Sequence, residues 1–310
     1  MNESKSAWLF GTMLIYSVAM PAAVITPPAP PRPGMLNSFT GEVWMNGVPA
    51  GQFSAGRATL EIGQAIKTGQ GMAELLLSPG SFVRLGKQSE LTLEVVSTLE
   101  LRVRLGNGEA LMEVLNSQTP LFLEQNGVTA VVRNPGLYDF DEKRGVMAVF
   151  AGEAQLSKGD RQIVVPKGFG VRTRSLREFQ TKPRPDSSVF SWSSRRSQLL
   201  SAESAASAQI YPAGTGTWHG LAWYWNPWSA SYPYLSASGA VTGPFGWPYY
   251  SPGYAPNQIP ARPGGDAGLY GPPVLTSPPP TVATPSGPVS VTPTVPLTAP
   301  GVPQFPNNKF

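Results

Sequence analysis

The sequence predicts an all-β domain, an antiparallel hairpin-rich roll, sandwich or solenoid-like stack, followed by one helix, an aromatic Gly/Pro-rich segment and a disordered tail. Three observations carry this expectation. In "LELRVRL", Leu99, Leu101, Val103 and Leu105 alternate with Glu100, Arg102 and Arg104, a period of two that puts one face in a core and the other in water. Two-residue turn signals recur at Asn46-Gly47, Asn107-Gly108, Asn126-Gly127 and Gly159-Asp160, and the last two separate "LFLEQ" from "VTAVV" and "AQLSK" from "RQIVV", the pattern of β-hairpins. The short apolar runs follow one another at a spacing of roughly ten residues, which leaves no room for the crossover helices of a parallel sheet.

Taken in order, the chain divides as follows. Lys5 and the amino terminus precede "AWLFGTMLIYSVAM", an apolar run as long as a signal-peptide core and shorter than the roughly 20 residues that span a bilayer. Residues 1–25 are expected to be a signal peptide, cleaved near Ser17 and Ala19 or near Ala22 and Ala23, or else an uncleaved membrane anchor. On either reading the remainder lies in the periplasm or cell envelope. Residues 26–37, including "TPPAPPRPG", form a Pro-rich spacer that suits neither helix nor central strand. The β domain takes residues 38–173, with Pro79-Gly80 fitting a type I or type II turn.

Residues 174–210 are expected to be a basic connector that contains the helix. Around it gather Lys167, Arg172, Arg174, Arg177, Lys182, Arg184, Arg195 and Arg196 against Glu178 and Asp186. Such a stretch reads first as a solvated linker and second as an attractor for an anionic lipid or polysaccharide surface, that is, a peripheral membrane contact. Asp186 or Ser187 can cap a helix running to about Gln209, with Val189, Trp192, Leu199, Leu200, Ala206 and Ile210 near one face. Residues 211–270 concentrate aromatic side chains among Gly, Pro and Ser, with Trp223, Tyr224, Trp225 and Trp228 as the candidate binding or clasp residues. Rings on such a chain can fold over the protein's own β domain, sit at a membrane interface or stack on sugars. Residues 271–310 carry Pro, Thr, Ser and Val with a single charge, Lys309, and read as a disordered tail.

Composition narrows the function. Charged residues are 14% of the 310 and the formal net charge is +4, too sparse for the basic stripe of a nucleic-acid binder, so no nucleic-acid partner is expected. Cysteine is absent, which excludes disulfides, thiolate metal sites, a cysteine nucleophile and a lipobox. His219 is the one histidine, so histidine pairs are excluded, and its place beside Trp218 reads as structural. Glu109, Glu113, Asp139, Asp141 and Glu153 could form an acid/base pair of the glycosidase kind. Their positions on alternating strands and turns predict solvated surface acids instead, so no enzyme activity and no cofactor or metal is expected.

Several segments together resemble the FecR domain: "LLLSPGSFVRLGKQSEL", "LRVRLGNGEALMEV", "GLYDF" and "VMAVFAGEAQL". Gly80 and Ser81 match the family's Asp-Gly-Ser turn, with Pro79 in place of the Asp. Ser89 and Leu91 match the residues after it, and Gly108 and Ala110 a later hairpin. Gly136 and Phe140 stand where the family has Gly-Thr-x-Phe, with Leu137 in place of the Thr. The resemblance spans roughly 55–172 and implies the periplasmic half of a sigma-factor regulator that listens to an outer-membrane receptor. "WYWNPW" (223–228) and "GPFG" (243–246) resemble an aromatic C-terminal signature of exported FecR-domain proteins of soil bacteria. The expectation is thus a non-enzymatic envelope protein serving protein–protein interaction, scaffolding or signal reception. The alternative is a carbohydrate-binding protein that uses the aromatic segment on cell-wall or exported polysaccharide.

Overall fold

The computed structural model describes residues 30–116, 118–210, 222–226 and 229–252. The N-terminal apolar run, residues 26–29 of the Pro-rich spacer, His219, Trp228 and the Pro/Thr-rich tail lie outside the described residues, while Leu36 and Asn37, expected in the spacer, are buried and begin the first strand, where the proline run has ended.

Among the described residues, seventeen strands precede the helix. They are β1 (Leu36–Thr40), β2 (Val43–Met45), β3 (Val48–Pro49), β4 (Ala65–Thr68), β5 (Met72–Leu76), β6 (Ser81–Leu85), β7 (Glu90–Val96), β8 (Leu101–Asn107) and β9 (Glu109–Val114). After them come β10 (Leu121–Gln125), β11 (Val128–Val132), β12 (Gly136–Asp141), β13 (Val146–Ala151), β14 (Glu153–Lys158), β15 (Arg161–Pro166), β16 (Phe169–Arg172) and β17 (Arg177–Gln180). They form two sheets, one ordered β1-β5-β6-β9-β12-β13-β16-β17 and the other β15-β14-β11-β10-β8-β7-β4-β2-β3. Every named pair is antiparallel except β8 with β10, which run parallel.

The sandwich is built by distributing successive hairpins between the two sheets. The β5–β6 pair goes to the first sheet, β7–β8 to the second, β10–β11 to the second, β12–β13 to the first, β14–β15 to the second and β16–β17 to the first. One face of each sheet supplies the core: Leu75, Val83, Met112, Phe140 and Val149 from the first meet Leu93, Val103, Leu123, Ala130 and Leu156 from the second. Two apolar faces shut against each other is the stable way to bury sheets that alternate as these do.

Asn126 and Gly127 have φ of 53° and 69°, the two left-handed residues that let a two-residue turn follow the twist of β10 and β11. Pro79-Gly80 resolves as a type II turn, with Gly80 at φ 82° and the Ser81 N–H donating to the Ser78 carbonyl at 2.7 Å.

Asn107-Gly108 has the same local signal and a different use. The strands on either side of it lie in different sheets, so it is a corner and not a hairpin. Gly108 has φ 83°, and a Cβ there would stand 2.2 Å from Ser89 Oγ and 2.6 Å from Ser89 Cα. That crowding is functional in the fold, because Ser89 Oγ accepts the Glu109 N–H at 3.0 Å and pins the corner. Leu99 also departs from the expected strand: β8 begins at Leu101, and Leu99 sits in the preceding turn, 81% exposed.

The β structure runs beyond the expected boundary at 173, because "FGVR" and "REFQ" pair as β16 and β17 and extend the first sheet. The connector is therefore residues 181–187, after which α1 (Ser188–Ile210) begins. Ser187 caps it, its Oγ accepting the Phe190 N–H at 3.5 Å and its carbonyl the Ser191 N–H at 3.0 Å. The chain then adds β18 (Ala222–Trp223), β19 (Tyr234–Leu235), β20 (Ala240–Thr242) and β21 (Pro248–Tyr250), the first two paired with each other and the last two likewise.

Candidate functional site

Strand alternation places Glu74, Leu76, Phe82, Arg84, Leu111, Glu113, Leu137, Asp139, Asp141, Ala148 and Phe150 on the outer face of the first sheet, away from the sandwich core. All of them are nonetheless buried. Helix α1 and the two short hairpins after it cover that face and form a third layer.

Two apolar clusters hold the layer down. In one, Met35, Leu76, Phe82 and Leu115 pack with Leu200 of the helix and with Trp223, Tyr232, Tyr234 and Tyr249. In the other, Leu111, Leu137, Ala148 and Phe150 pack with Val189, and Phe190 and Phe245 flank them. Phe190 stands edge-on to both Phe150 and Phe245, with centroids 6.0 and 5.3 Å away.

The candidate aromatic residues have separate environments. Trp223 is 9% exposed and belongs to the first of these clusters. Trp225 is half-buried, 5.0 Å from the Tyr232 ring, and lies so close to Gly56 that a Cβ there would stand 2.2 Å from its ring. Tyr224 is half-buried and its N–H donates to the Pro233 carbonyl at 3.0 Å. Trp228 falls outside the described residues. "GPFG" forms the turn between β20 and β21, closed by the Gly243 N–H on the Trp247 carbonyl at 2.8 Å, which delivers Phe245 to Phe190.

Between the apolar clusters lies a buried ionic cluster. Arg84 donates through Nε to Glu74 at 2.7 Å and through Nη1 to Glu113 at 2.6 Å, all three side chains fully buried. Helix α1 completes it: Arg196 donates to Glu74 at 2.9 Å and the Ser197 hydroxyl to Glu113 at 2.7 Å. Ser197 Oγ also lies 2.9 Å from the Tyr249 hydroxyl. Asn37 joins the layers, donating to Glu74 at 2.8 Å while its carbonyl oxygen accepts the Tyr232 N–H at 2.7 Å.

Burial works to raise the Glu74 carboxyl, but the guanidiniums of Arg196 and Arg84 outweigh it and hold the group at about 2. Glu113 has one guanidinium beside it, and burial pushes its carboxyl up. Burial likewise raises the Tyr249 hydroxyl, with the negative charge of Glu113 adding to it.

A second cluster stands where the connector meets the helix. Arg184 reaches Glu109 at 2.5 Å, Asp139 at 3.4 Å and Asp141 at 3.6 Å, and Ser187 Oγ donates to Glu109 at 3.1 Å. Arg144 adds a contact to Asp141 at 3.7 Å. Three carboxylates thus share two guanidiniums. Burial, with the repulsion of Glu109 and Asp141 added, pushes Asp139 up to about 7 against the pull of Arg184.

These two clusters overturn the expectation that the acids are solvated. Glu113, Asp139 and Asp141 are buried, Glu109 is half-buried, and only Glu153 is exposed. They do point away from the sandwich core, as alternation requires, but the helical layer lies over them. Arg184 and Arg196 also leave the expected solvated connector, each being spent on internal carboxylates. The helix buries Val189, Trp192 and Leu200 as expected, but the same face also carries Ser193, Arg196, Ser197, Ser201, Ser204, Ser207 and Ala208, while Leu199, expected on it, is 42% exposed. The signal available in the sequence was the serine spacing itself, which follows the helical period from 193 to 207.

The outer face of the second sheet carries no such layer among the described residues. Phe122, Val131, Gln155 and Val164 fall in one cross-strand row, with Arg102 over the Phe122 ring at 4.8 Å and Val164 54% exposed.

No family model matches the chain, and no curated protein matches it, so the FecR resemblance rests on the residues that carry it. Solved structures of a candidate anti-sigma factor from Parabacteroides distasonis are similar at 15% and 14% identity, each with a TM-score of 0.33. The match covers 38% of this chain and 60% of theirs. A likeness of that size decides neither topology nor role.

Proposed function

We propose that this protein is a non-enzymatic binding module of the cell envelope, whose sandwich serves protein–protein interaction, scaffolding or signal reception outside the cytoplasm. The observation that carries the reading is how the eligible groups are employed. Of the acids that could form a hydrolytic pair, Glu113 is bound to Arg84 and Glu109, Asp139 and Asp141 to Arg184, which leaves Glu153 alone on the surface, and Trp223 and Trp225 are packed against the first sheet and the loop at Gly56. Groups locked into internal contacts are not free to stack on a sugar or move a proton. The outer face of the second sheet, uncovered among the described residues and with Phe122, Val131 and Val164 in a row, is the surface we assign to a protein partner.

The test places a photo-crosslinking residue at Val131 or Gln155 in cells and, as a reference, at Arg195 on the exposed side of α1. A discrete adduct with one envelope protein from the sheet positions and none from Arg195 is the expected result. Retention of the wild-type protein on isolated cell-wall polysaccharide, lost in a Trp223→Ala/Trp225→Ala variant that melts as the wild type does, would replace this reading with the carbohydrate-binding one.

A further inference from the structure

One end of the sandwich gathers cations from three turns that are distant in sequence. The turn between β12 and β13 meets the turn between β16 and β17 through the Thr173 N–H, which donates to the Gly145 carbonyl at 2.8 Å. The end of the β14–β15 hairpin is tied to the same place. Lys158 Nζ donates to the carbonyls of Thr173 at 2.8 Å and Arg174 at 3.1 Å, and Arg161 donates to the Ser175 carbonyl at 3.3 Å. Lys143, Arg144, Arg161, Arg172, Arg174 and Arg177 are all exposed around this junction.

Arg172 and Arg177 stand directly opposite each other on β16 and β17, an arrangement that is unfavourable in a sheet unless something neutralises it. Arg144 has Asp141. Among the described residues, Lys143, Arg172, Arg174 and Arg177 form no ion pair. The acids nearby do not balance the patch: Asp160 is exposed at the β14–β15 turn, Glu142 is half-buried, and Glu178 alternates to the other face of β17 from Arg177.

We propose that this end of the sandwich docks on an anionic phospholipid surface. The cations sit on turn tips and an edge strand, not around a cavity. They therefore match a two-dimensional array of phosphates, which needs no shape complementarity, better than they match one small anion. The basic connector supplies only part of the surface, since Arg184 and Arg196 are engaged by Glu109 and Glu74 and Lys143 and Arg161 come from elsewhere in the chain. The inference goes beyond the binding role proposed above, and its test does not involve that role's partner.

The experiment is co-sedimentation of the full chain with vesicles of phosphatidylcholine and phosphatidylglycerol, against vesicles of phosphatidylcholine alone. Salt-sensitive binding to the anionic vesicles is expected, weakened by on the order of 30- to 100-fold in Arg172→Gln/Arg174→Gln/Arg177→Gln. A charge-matched variant, Arg32→Gln/Arg133→Gln/Arg195→Gln, is expected to bind as the wild type does. Because Arg172 also lies over the Phe179 ring, Lys143→Gln/Arg174→Gln serves as a second variant that touches no ring, and it too must weaken binding. Equal binding by the patch variants and the charge-matched variant, equal binding to neutral vesicles, or retention on an acidic polysaccharide such as polygalacturonate without vesicle binding would each overturn the proposal.

Discussion

Asp139 and Glu74 lie on the same sheet face and respond to acid in opposite senses. Asp139 is raised from 3.8 to about 7, so the folded protein holds a proton there that the unfolded chain releases. Its contribution is full below about pH 4 and is lost as pH rises towards 7. Glu74 is lowered from 4.5 to about 2, so its contribution is present above 4.5 and is lost as pH falls towards 2. Between pH 5 and 7 the melting temperature of the wild type should therefore fall with rising pH, and Asp139→Asn should flatten that slope. Glu109 and Glu113, also raised by burial, keep part of it. An Asp139→Asn profile parallel to the wild type would show that the cluster does not hold the proton. At Arg84 the expectation is simpler. Arg84→Ala leaves Glu113 buried without a guanidinium and Glu74 with one, a loss of about 3–5 kcal/mol by urea denaturation. None of this was legible in the sequence, where Arg84 and Glu113 look like ordinary outward-facing strand residues; burial came from a segment more than 80 residues away in the chain.

At the scale of single elements, hairpins were legible because their signal is local. Asn126-Gly127 and Gly159-Asp160 sit between runs that pair as expected. Asn107-Gly108 shows the limit, because left-handed backbone is needed equally for a hairpin turn and for a corner between sheets, and only the partner strands distinguish them. The two sites should respond differently to substitution. A Cβ at Gly127 meets nothing within 4 Å, so Gly127→Val adds only backbone strain, about 1–3 kcal/mol. Gly108→Val adds the collision with Ser89 to the same strain and should destabilise more; an equal effect of the two in urea denaturation would remove the corner from the account. The helix was legible in its extent, its Ser187 cap and the burial of Val189, Trp192 and Leu200, but not in the polar part of its buried face. Apolar periodicity predicts burial of Leu199, while the surface beneath offers Glu74 and Glu113, and those acids require the Arg196 and Ser197 side of the helix.

For the molecule as a whole, the sandwich is incomplete without the segment after it. The outer face of the first sheet presents Leu76, Phe82, Leu111 and Phe150 together with the ionic cluster of Glu74, Arg84 and Glu113. Without α1 and the two short hairpins those apolar side chains would form one exposed patch, and Glu74 and Glu113 would lose Arg196 and Ser197. A boundary drawn by composition near residue 173 or 210 therefore cuts through a folding unit. A chain ending at residue 186 is expected to aggregate or to melt well below one ending at residue 252, and limited proteolysis of the full chain should leave a resistant fragment that keeps α1 and β18 to β21 together with the sandwich. The same layer sets the expected response to Trp223→Ala/Trp225→Ala, a loss of several kcal/mol, as truncated buried aromatics give about 3–5 kcal/mol each when fully enclosed and less for the half-buried Trp225. That loss should not spread evenly. Amide exchange should accelerate first in α1 and β19, which share the aromatic cluster, and last in β8 and β10, whose core residues lie between the sheets. Uniform acceleration would mean that the third layer and the sandwich unfold as one cooperative unit, whereas acceleration confined to residues 188–252 would make the layer a separable cover over the ionic face.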